Sequence, residues 1–410
     1  MEELMVSDKK FIMGTYKRYP LAVKRAKGKY IWSEEGKRYL DFFSGLAVNN
    51  LGHCHPQILK AIRHQLLKHL HISNLYYDRL QVELAEKLVE LSIPGKVFFS
   101  NSGAEANECA IKLARKYGHL EGGKWKDRYK IIVFDNSFHG RTLATLSATR
   151  QKKFQKGFAP LLSGFKQAKF NQLSTVEKAI GNNTCAIMVE PVQGEGGVRV
   201  ATREFLRGLR RLCNKFKLLL IFDEIQSGMG RTGKMFAYQH YGVTPDILTV
   251  AKGLGGGLPL AVTIAKDEIA KLFGYGNHGS TFGGNPVSVA AGLAAVRLLD
   301  DKLLENVKVA GNYFIRRLNE LKSKYPEKIK EVRGLGLMVG MELNEEGEEI
   351  VNRCFEEGIL INCTQERVLR FLPPLTINNK DIDRLVKTID KILSSLGLRK
   401  TPSLILPIKI

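Results

Sequence analysis

Short apolar runs punctuate the first two thirds of the chain: KVFF at 96–99, KIIVF at 130–134, CAIMV at 185–189, LLLIF at 218–222 and ILTVA at 247–251. Each is short, bounded by polar or glycine residues, and uninterrupted by charge, so each predicts a strand buried on both faces. The stretches between them carry helical spacing. After the first run, Ala106, Ala110, Leu113, Ala114 and Tyr117 recur at i, i+4, i+7, i+8 and i+11, the stripe of a helix with one apolar face. Strands alternating with helices predict an α/β fold with a mainly parallel sheet covered by helices. From about residue 298 the texture changes. A long amphipathic stripe, Ile382, Leu385, Val386, Ile389 and Leu393, accompanies short strands such as LMVGMEL. The expected organisation is a large domain at 56–297 and a smaller α+β domain at 298–410, joined by an N-terminal segment at 1–55. No internal repeat or low-complexity stretch is evident.

Composition narrows the class. The chain has 410 residues, 44% of them hydrophobic, enough for a large core. Its apolar runs fall far short of the roughly 20 residues a membrane span needs. The start, MEELMVSDKKF, has no apolar signal core, so a cytoplasmic protein is expected, with no membrane contact. Six cysteines (Cys54, Cys109, Cys185, Cys213, Cys354 and Cys363) form no C-x-x-C pair, so free thiols are expected and no metal site. His53, Cys54 and His55, in GHCHP, read as a turn before a helix. The net charge of +22 is dispersed along the chain without an arginine-rich arm or zinc finger. It predicts a basic surface attractive to anionic substrates rather than a nucleic-acid binder, for which charge is the sole support.

Chemistry concentrates just after the apolar runs, where ligands bind in doubly wound sheets. SNSGAEANE would place the backbone N–H groups of Ser102, Gly103 and Ala104 at a helix start, a seat for phosphate. An ordinary cap, with Ser102 capping and Glu105 in the first turn, fits the same residues. DNSFHGRT sets Phe138 and His139 beside Arg141, whose fork suits carboxylates. EPVQGEGGV flanks a tight turn with Glu190 and Glu195. Asp223 closes the LLLIF run, where an acid is costly unless a cation or donor meets it. Lys252 stands between ILTVA and a glycine cluster, where desolvation would lower its pKa and permit a Schiff base with an aldehyde. A phosphate seat, an aromatic ring, a buried acid and such a lysine are the parts that hold pyridoxal 5'-phosphate, with Asp223 keeping the ring nitrogen protonated. A carboxylate at such range is worth roughly 1 to 3 pKa units.

Eight stretches in order (YLDFFSGLAVNNLGHCHP, SNSGAEANECAIKLARK, FHGRT, EPVQGEGGV, FDEIQSGMGRTG, AKGLGGGLP, STFGGNP and RFLPPL) make the chain resemble the class III, ornithine-type aminotransferases of PLP fold type I over nearly its whole length. The resemblance implies that Lys252 carries the cofactor and shuttles the proton, that Asp223 pairs with the ring nitrogen, and that Gln226 contacts the ring hydroxyl. Ser102, Gly103 and Ala104 would hold the phosphate and Phe138 would cover the ring. Thr281 would reach the phosphate of a neighbouring subunit, which implies a homodimer with shared sites. Arg141 would bind a substrate carboxylate, with Tyr16 near it and Ser280 among the substrate contacts. Arg370 would pair with Glu195 and be released to hold the α-carboxylate of glutamate. Within the family, Asn107 in the phosphate loop and Gly45, where ornithine-specific members carry a tyrosine, are similar to the branch acting on N-acetylornithine. That branch moves its δ-amino group to 2-oxoglutarate, giving N-acetylglutamate semialdehyde and glutamate in arginine biosynthesis. Ornithine, 4-aminobutyrate and succinylated donors are the alternatives.

Overall fold

A computed structural model describes residues 1–120 and 128–396. Its centre is a seven-stranded sheet in the order Gly95–Ser100, Ala261–Lys266, Ile247–Val250, Leu219–Asp223, Thr184–Val189, Lys130–Phe134, Phe165–Ala168. The ladders from Ile247–Val250 to Phe165–Ala168 are parallel. Ala261–Lys266 runs antiparallel to both neighbours. All five apolar runs are strands of this sheet, each matched to within one residue at either end. Two strands carried no such signal. Phe165–Ala168 is a partly exposed edge, so FKQA has no continuous apolar character. Ala261–Lys266 is buried and apolar but follows GLGGGLPL directly and reads as the tail of a glycine loop.

Helix Gly103–Leu120 buries Ala106, Ala110, Leu113 and Ala114 against strands Ile247–Val250 and Ala261–Lys266. Gly118 lets the chain cross closely, since a Cβ there would stand 1.9 Å from the Arg128 carbonyl. The N-terminal strands Val23–Lys27, Tyr30–Ser33 and Arg38–Asp41 form an antiparallel ribbon, and the last pairs in parallel with Ile359–Leu360. The beginning of the chain and its last third therefore share one sheet. A second small sheet contains Ile329–Leu335, Met338–Leu343, Val368–Phe371 and Asn362–Thr364 in that order. Helix Asn379–Ser395 opens on a reciprocal cap between Asn378 and Asp381 and buries Ile382, Leu385, Val386, Ile389 and Leu393. The end of the expected C-terminal domain, 397–410, lies outside the described residues. All six cysteines are free, Cys54 alone of them exposed. In GHCHP, His53 bonds Asp41 at 2.7 Å and His55 precedes the helix Pro56–Leu66. Among the described residues, no helix is long and apolar enough to cross a membrane.

Candidate active site

The carboxyl ends of the parallel strands open onto a cavity of about 590 Å³. Strand Ile247–Val250 leads through Ala251 to Lys252, whose φ of 50° is left-handed, a conformation costing a non-glycine residue on the order of 1–3 kcal/mol. Such strain is kept only where surrounding packing dictates it. Lys252 is half-buried, with one side open to the cavity, and its amine is walled by protein elsewhere. Burial lowers its pKa from the usual lysine value, opposed chiefly by the charge of Glu195. No hydrogen bond from its Nζ joins it to any described residue.

The neighbouring strand ends in Asp223, buried and held by three donors. Oδ2 accepts from Asn107 Nδ2 at 2.8 Å and pairs with His139 Nδ1 at 2.7 Å, while Oδ1 accepts from the backbone of Ile225 at 3.1 Å. Asn107 is fixed in turn, donating to the His139 carbonyl and accepting from Thr249 Oγ1, both at 2.8 Å. Burial works against charge on His139, but the hydrogen bond and charge of Asp223, with Glu190 beyond, outweigh it and raise its pKa. The other ring nitrogen, Nε2, is buried without a partner among the described residues. Asp223 thus meets the donors that an acid at the end of an apolar run demands, and its charge favours the protonated form of one of them, His139.

At the far wall, helix Gly103–Leu120 begins. Ser102 caps it: the Glu105 N–H donates to Ser102 Oγ at 3.3 Å, and Glu105 Oε2 accepts from Ser102 Oγ and from the Asn101 N–H, both at 3.0 Å. The ordinary cap is therefore present, and it leaves the N–H groups of Gly103 and Ala104 directed off the helix end, where the dipole favours an anion. Gly103 also has no room for a side chain, since a Cβ would stand 2.8 Å from Ile225. Phe138 lines the cavity, its N–H donating to Glu190 Oε1 at 3.0 Å. Glu190 also accepts from Gly194 N–H at 3.3 Å, and burial pushes its carboxyl up.

Glu195 faces the cavity and pairs with Arg370 at 2.5 Å. The guanidinium is fully buried, with Nε donating to Asn362 Oδ1 at 3.2 Å and Nη1 lying 3.5 Å from Gln226 Oε1. Despite burial, the Arg370 and Lys252 charges hold the Glu195 carboxyl below its usual range. Gly194 lies against Gln226, where a Cβ would stand 1.9 Å from its Oε1. Arg141 sits at the mouth, exposed, with no ion pair among the described residues.

Of the expected site residues, Lys252, Asp223, Gln226, Phe138, Ser102, Gly103, Ala104, Arg141 and Glu195 line this one cavity, and Arg370 stands behind Glu195. Three are elsewhere. Ser280 is one contact removed, its Oγ accepting from Asn101 Nδ2 at 3.2 Å. Thr281 is exposed in a separate shallow cleft with Asn74 and Gln81, and Tyr16 is 73% exposed on the N-terminal segment. A single chain does not bring these two to the cavity. Sequence reasoning gave no role to His139, Asn107, Thr249 or Glu190. The signal for Glu190 was available: it ends the CAIMV run as Asp223 ends LLLIF.

A lysine open to the cavity, two free N–H groups at a helix start, a buried acid with fixed donors and an aromatic ring together fit an aromatic aldehyde bearing a phosphate, the chemistry of pyridoxal 5'-phosphate. Comparison with known proteins gives the same class. The family model described as aminotransferase class-III matches residues 12–393. The acetylornithine aminotransferase of Methanocaldococcus jannaschii is 50% identical, covering 95% of this chain and 97% of its own. That of Caldanaerobacter subterraneus subsp. tengcongensis is also 50% identical, covering 96% and 100%. An ornithine aminotransferase structure from Toxoplasma gondii, described as showing partial occupancy of PLP at its active site, superposes with a TM-score of 0.93 at 32% identity, covering 98% and 96%.

Proposed function

This chain belongs to the class-III aminotransferases, and on that premise we propose that it transfers the δ-amino group of N-acetylornithine to 2-oxoglutarate, yielding N-acetylglutamate semialdehyde and glutamate. The carrying observation is a pair of arginines in different states at one cavity. Arg370 is buried and neutralised by Glu195, whereas Arg141 is exposed and unpaired among the described residues. Such a site suits two substrates that share a distal carboxylate but differ beside the reacting carbon. The N-acetylornithine side chain is uncharged there apart from its amine, while glutamate brings a carboxylate. The relatives that are half identical over the full length support the same donor.

Bound pyridoxal 5'-phosphate supplies an electron sink that stabilises the carbanion left when a proton leaves the amine-bearing carbon. Gly103 and Ala104 would hold its phosphate, Phe138 its face, and Asp223 the proton on its ring nitrogen. Asn107 and His139 keep Asp223 pointed at the cavity. Lys252 moves the proton; its lowered pKa favours the neutral amine that can accept it. Glu195 masks Arg370 while N-acetylornithine is bound and swings away when glutamate arrives.

The working unit is a homodimer. Thr281 shares a cleft with Tyr76. Tyr76, its chain neighbours Leu75 and Tyr77, and Phe282 next to Thr281 are large and well exposed, apolar side chains of the kind a second copy covers. The test is a panel of donors with 2-oxoglutarate as acceptor: kcat/KM should be highest for N-acetylornithine among itself, N-succinylornithine, ornithine and 4-aminobutyrate. A higher value for ornithine or 4-aminobutyrate overturns the donor assignment.

A further inference from the structure

Phe154 lies outside every stretch used to read the site, on the short helix Lys152–Gln155. The Arg141 guanidinium carbon lies 3.9 Å from the centroid of its ring and 5.6 Å from that of Phe138. The two rings meet edge to face, 5.7 Å apart at 79°. Arg141 has no ion pair or hydrogen bond with any described residue, so these two faces are its fixed contacts. A guanidinium held over a ring by its cation–π contact still has N–H groups to give, and these bind carboxylates through paired hydrogen bonds.

The seat itself is braced. Gln155 Nε2 donates to the carbonyls of Leu146 and Thr149 at 3.1 and 2.7 Å, and Gln151 Nε2 donates to that of Asn136 at 3.0 Å. Gln365 Nε2 lies 3.0 Å from Gln151 Oε1 and 2.8 Å from the Glu195 carbonyl, which ties the turn before Phe154 to the loop that faces Arg370.

We propose that Phe154 is a specificity-determining positioning residue: by carrying Arg141 on its face, it fixes the reach from Lys252 to the substrate's distal carboxylate. This rests on the reading that Arg141 takes that carboxylate. It makes the preference for a carboxylate at the far end of the substrate depend on an aromatic ring that touches no substrate atom.

The test uses the cofactor-loaded protein and calorimetric binding of glutarate, a dicarboxylate of substrate length. The single-turnover rate with pentylamine, which has no carboxylate, is the control. Phe154→Leu should weaken glutarate binding about 2- to 5-fold, the worth of a cation–π contact at an exposed guanidinium, and leave the pentylamine rate unchanged. Phe154→Tyr, which keeps the π face, should bind as wild type. In an Arg141→Ala background, Phe154→Leu should have no further effect. Thermal melting checks folding, and Phe154→Met replaces the leucine variant if that one does not fold. Unchanged glutarate binding in Phe154→Leu, or an equal loss in both backgrounds, overturns the proposal. If Arg141→Ala alone binds glutarate as wild type does, the carboxylate reading of Arg141 has failed, and the inference falls with it for a distinguishable reason.

Discussion

Replacing Glu195 with glutamine removes the negative charge beside Arg370 and keeps the shape. Nη1 and Oε1 stand 2.5 Å apart with the guanidinium 1% exposed. With charge centres roughly 4 Å apart and an effective dielectric near 20, the attraction is about 4 kcal/mol. Glutamine still accepts a hydrogen bond, and Glu195 is open to the cavity, so the expected net loss of stability is about 2 to 3 kcal/mol, below the roughly 3 to 5 typical of a broken buried pair. In a chain of this size that lowers the melting temperature by about 3 °C. The kinetic effects should have opposite signs. In the wild type, glutamate must displace Glu195 before reaching Arg370; in the variant it need not. N-acetylornithine instead meets an unmasked, desolvated charge, an unpaired group costing on the order of 1 to 3 kcal/mol, or about 5- to 150-fold. Stopped-flow absorbance of the loaded protein, mixed with one donor at a time, reads each half-reaction separately. The ratio of the N-acetylornithine rate to the glutamate rate should fall by at least about 5-fold. An equal loss in both, in a variant that binds cofactor and melts within the expected range, refutes the switch.

Three further outcomes are expected. Lys252→Met should leave no cofactor fixed after borohydride treatment, and its cofactor-free form should melt above wild type. The folded wild type binds fewer protons than the unfolded chain between the lowered pKa of Lys252 and the usual 10.5, so the cost of burying that charge is full below the folded pKa and fades as pH rises; a gap that does not narrow with pH contradicts this. Asp223→Asn should retain the fold and lose turnover by at least about two orders of magnitude, because an amide cannot hold a proton on the cofactor ring; near-wild-type turnover contradicts it. Tyr77→Glu should shift sedimentation equilibrium from dimer to monomer and weaken cofactor retention together, whereas a monomeric variant with full activity would remove Thr281 from the shared site.

The strands were legible where burial on both faces leaves a continuous apolar run, as in Thr184–Val189 and Leu219–Asp223, every residue of which is buried and whose single polar residue stands at one end. Phe165–Ala168 was illegible because an edge strand is half solvated, and a half-solvated stretch of four residues carries no period. The site follows the same logic. Asp223 and Lys252 stood out because a charge beside a buried strand needs a reason, and the phosphate seat stood out because glycines and a capping serine mark a helix start. Glu195 and Arg370, 175 positions apart, were joined by resemblance alone, since no local pattern announces a long-range pair. Phe154 had no signal at all, being one phenylalanine on a single helical turn.

What sequence supplied was the demand for partners; their identity came from register. Asp223 pairs with Thr249 across adjacent parallel strands. That pairing sets Thr249 Oγ1 to donate to Asn107, which leaves the Asn107 amide N–H to Asp223 and to the His139 carbonyl. Slip the ladder by one residue and Thr249 would point to the other face of the sheet. Asn107 would then lose the donor that fixes which way its amide turns, and with it the direction of the Asp223 carboxylate. The orientation of the central acid is thus a consequence of strand pairing, and this is why an aspartate recognisable in one dimension has neighbours recognisable only in three.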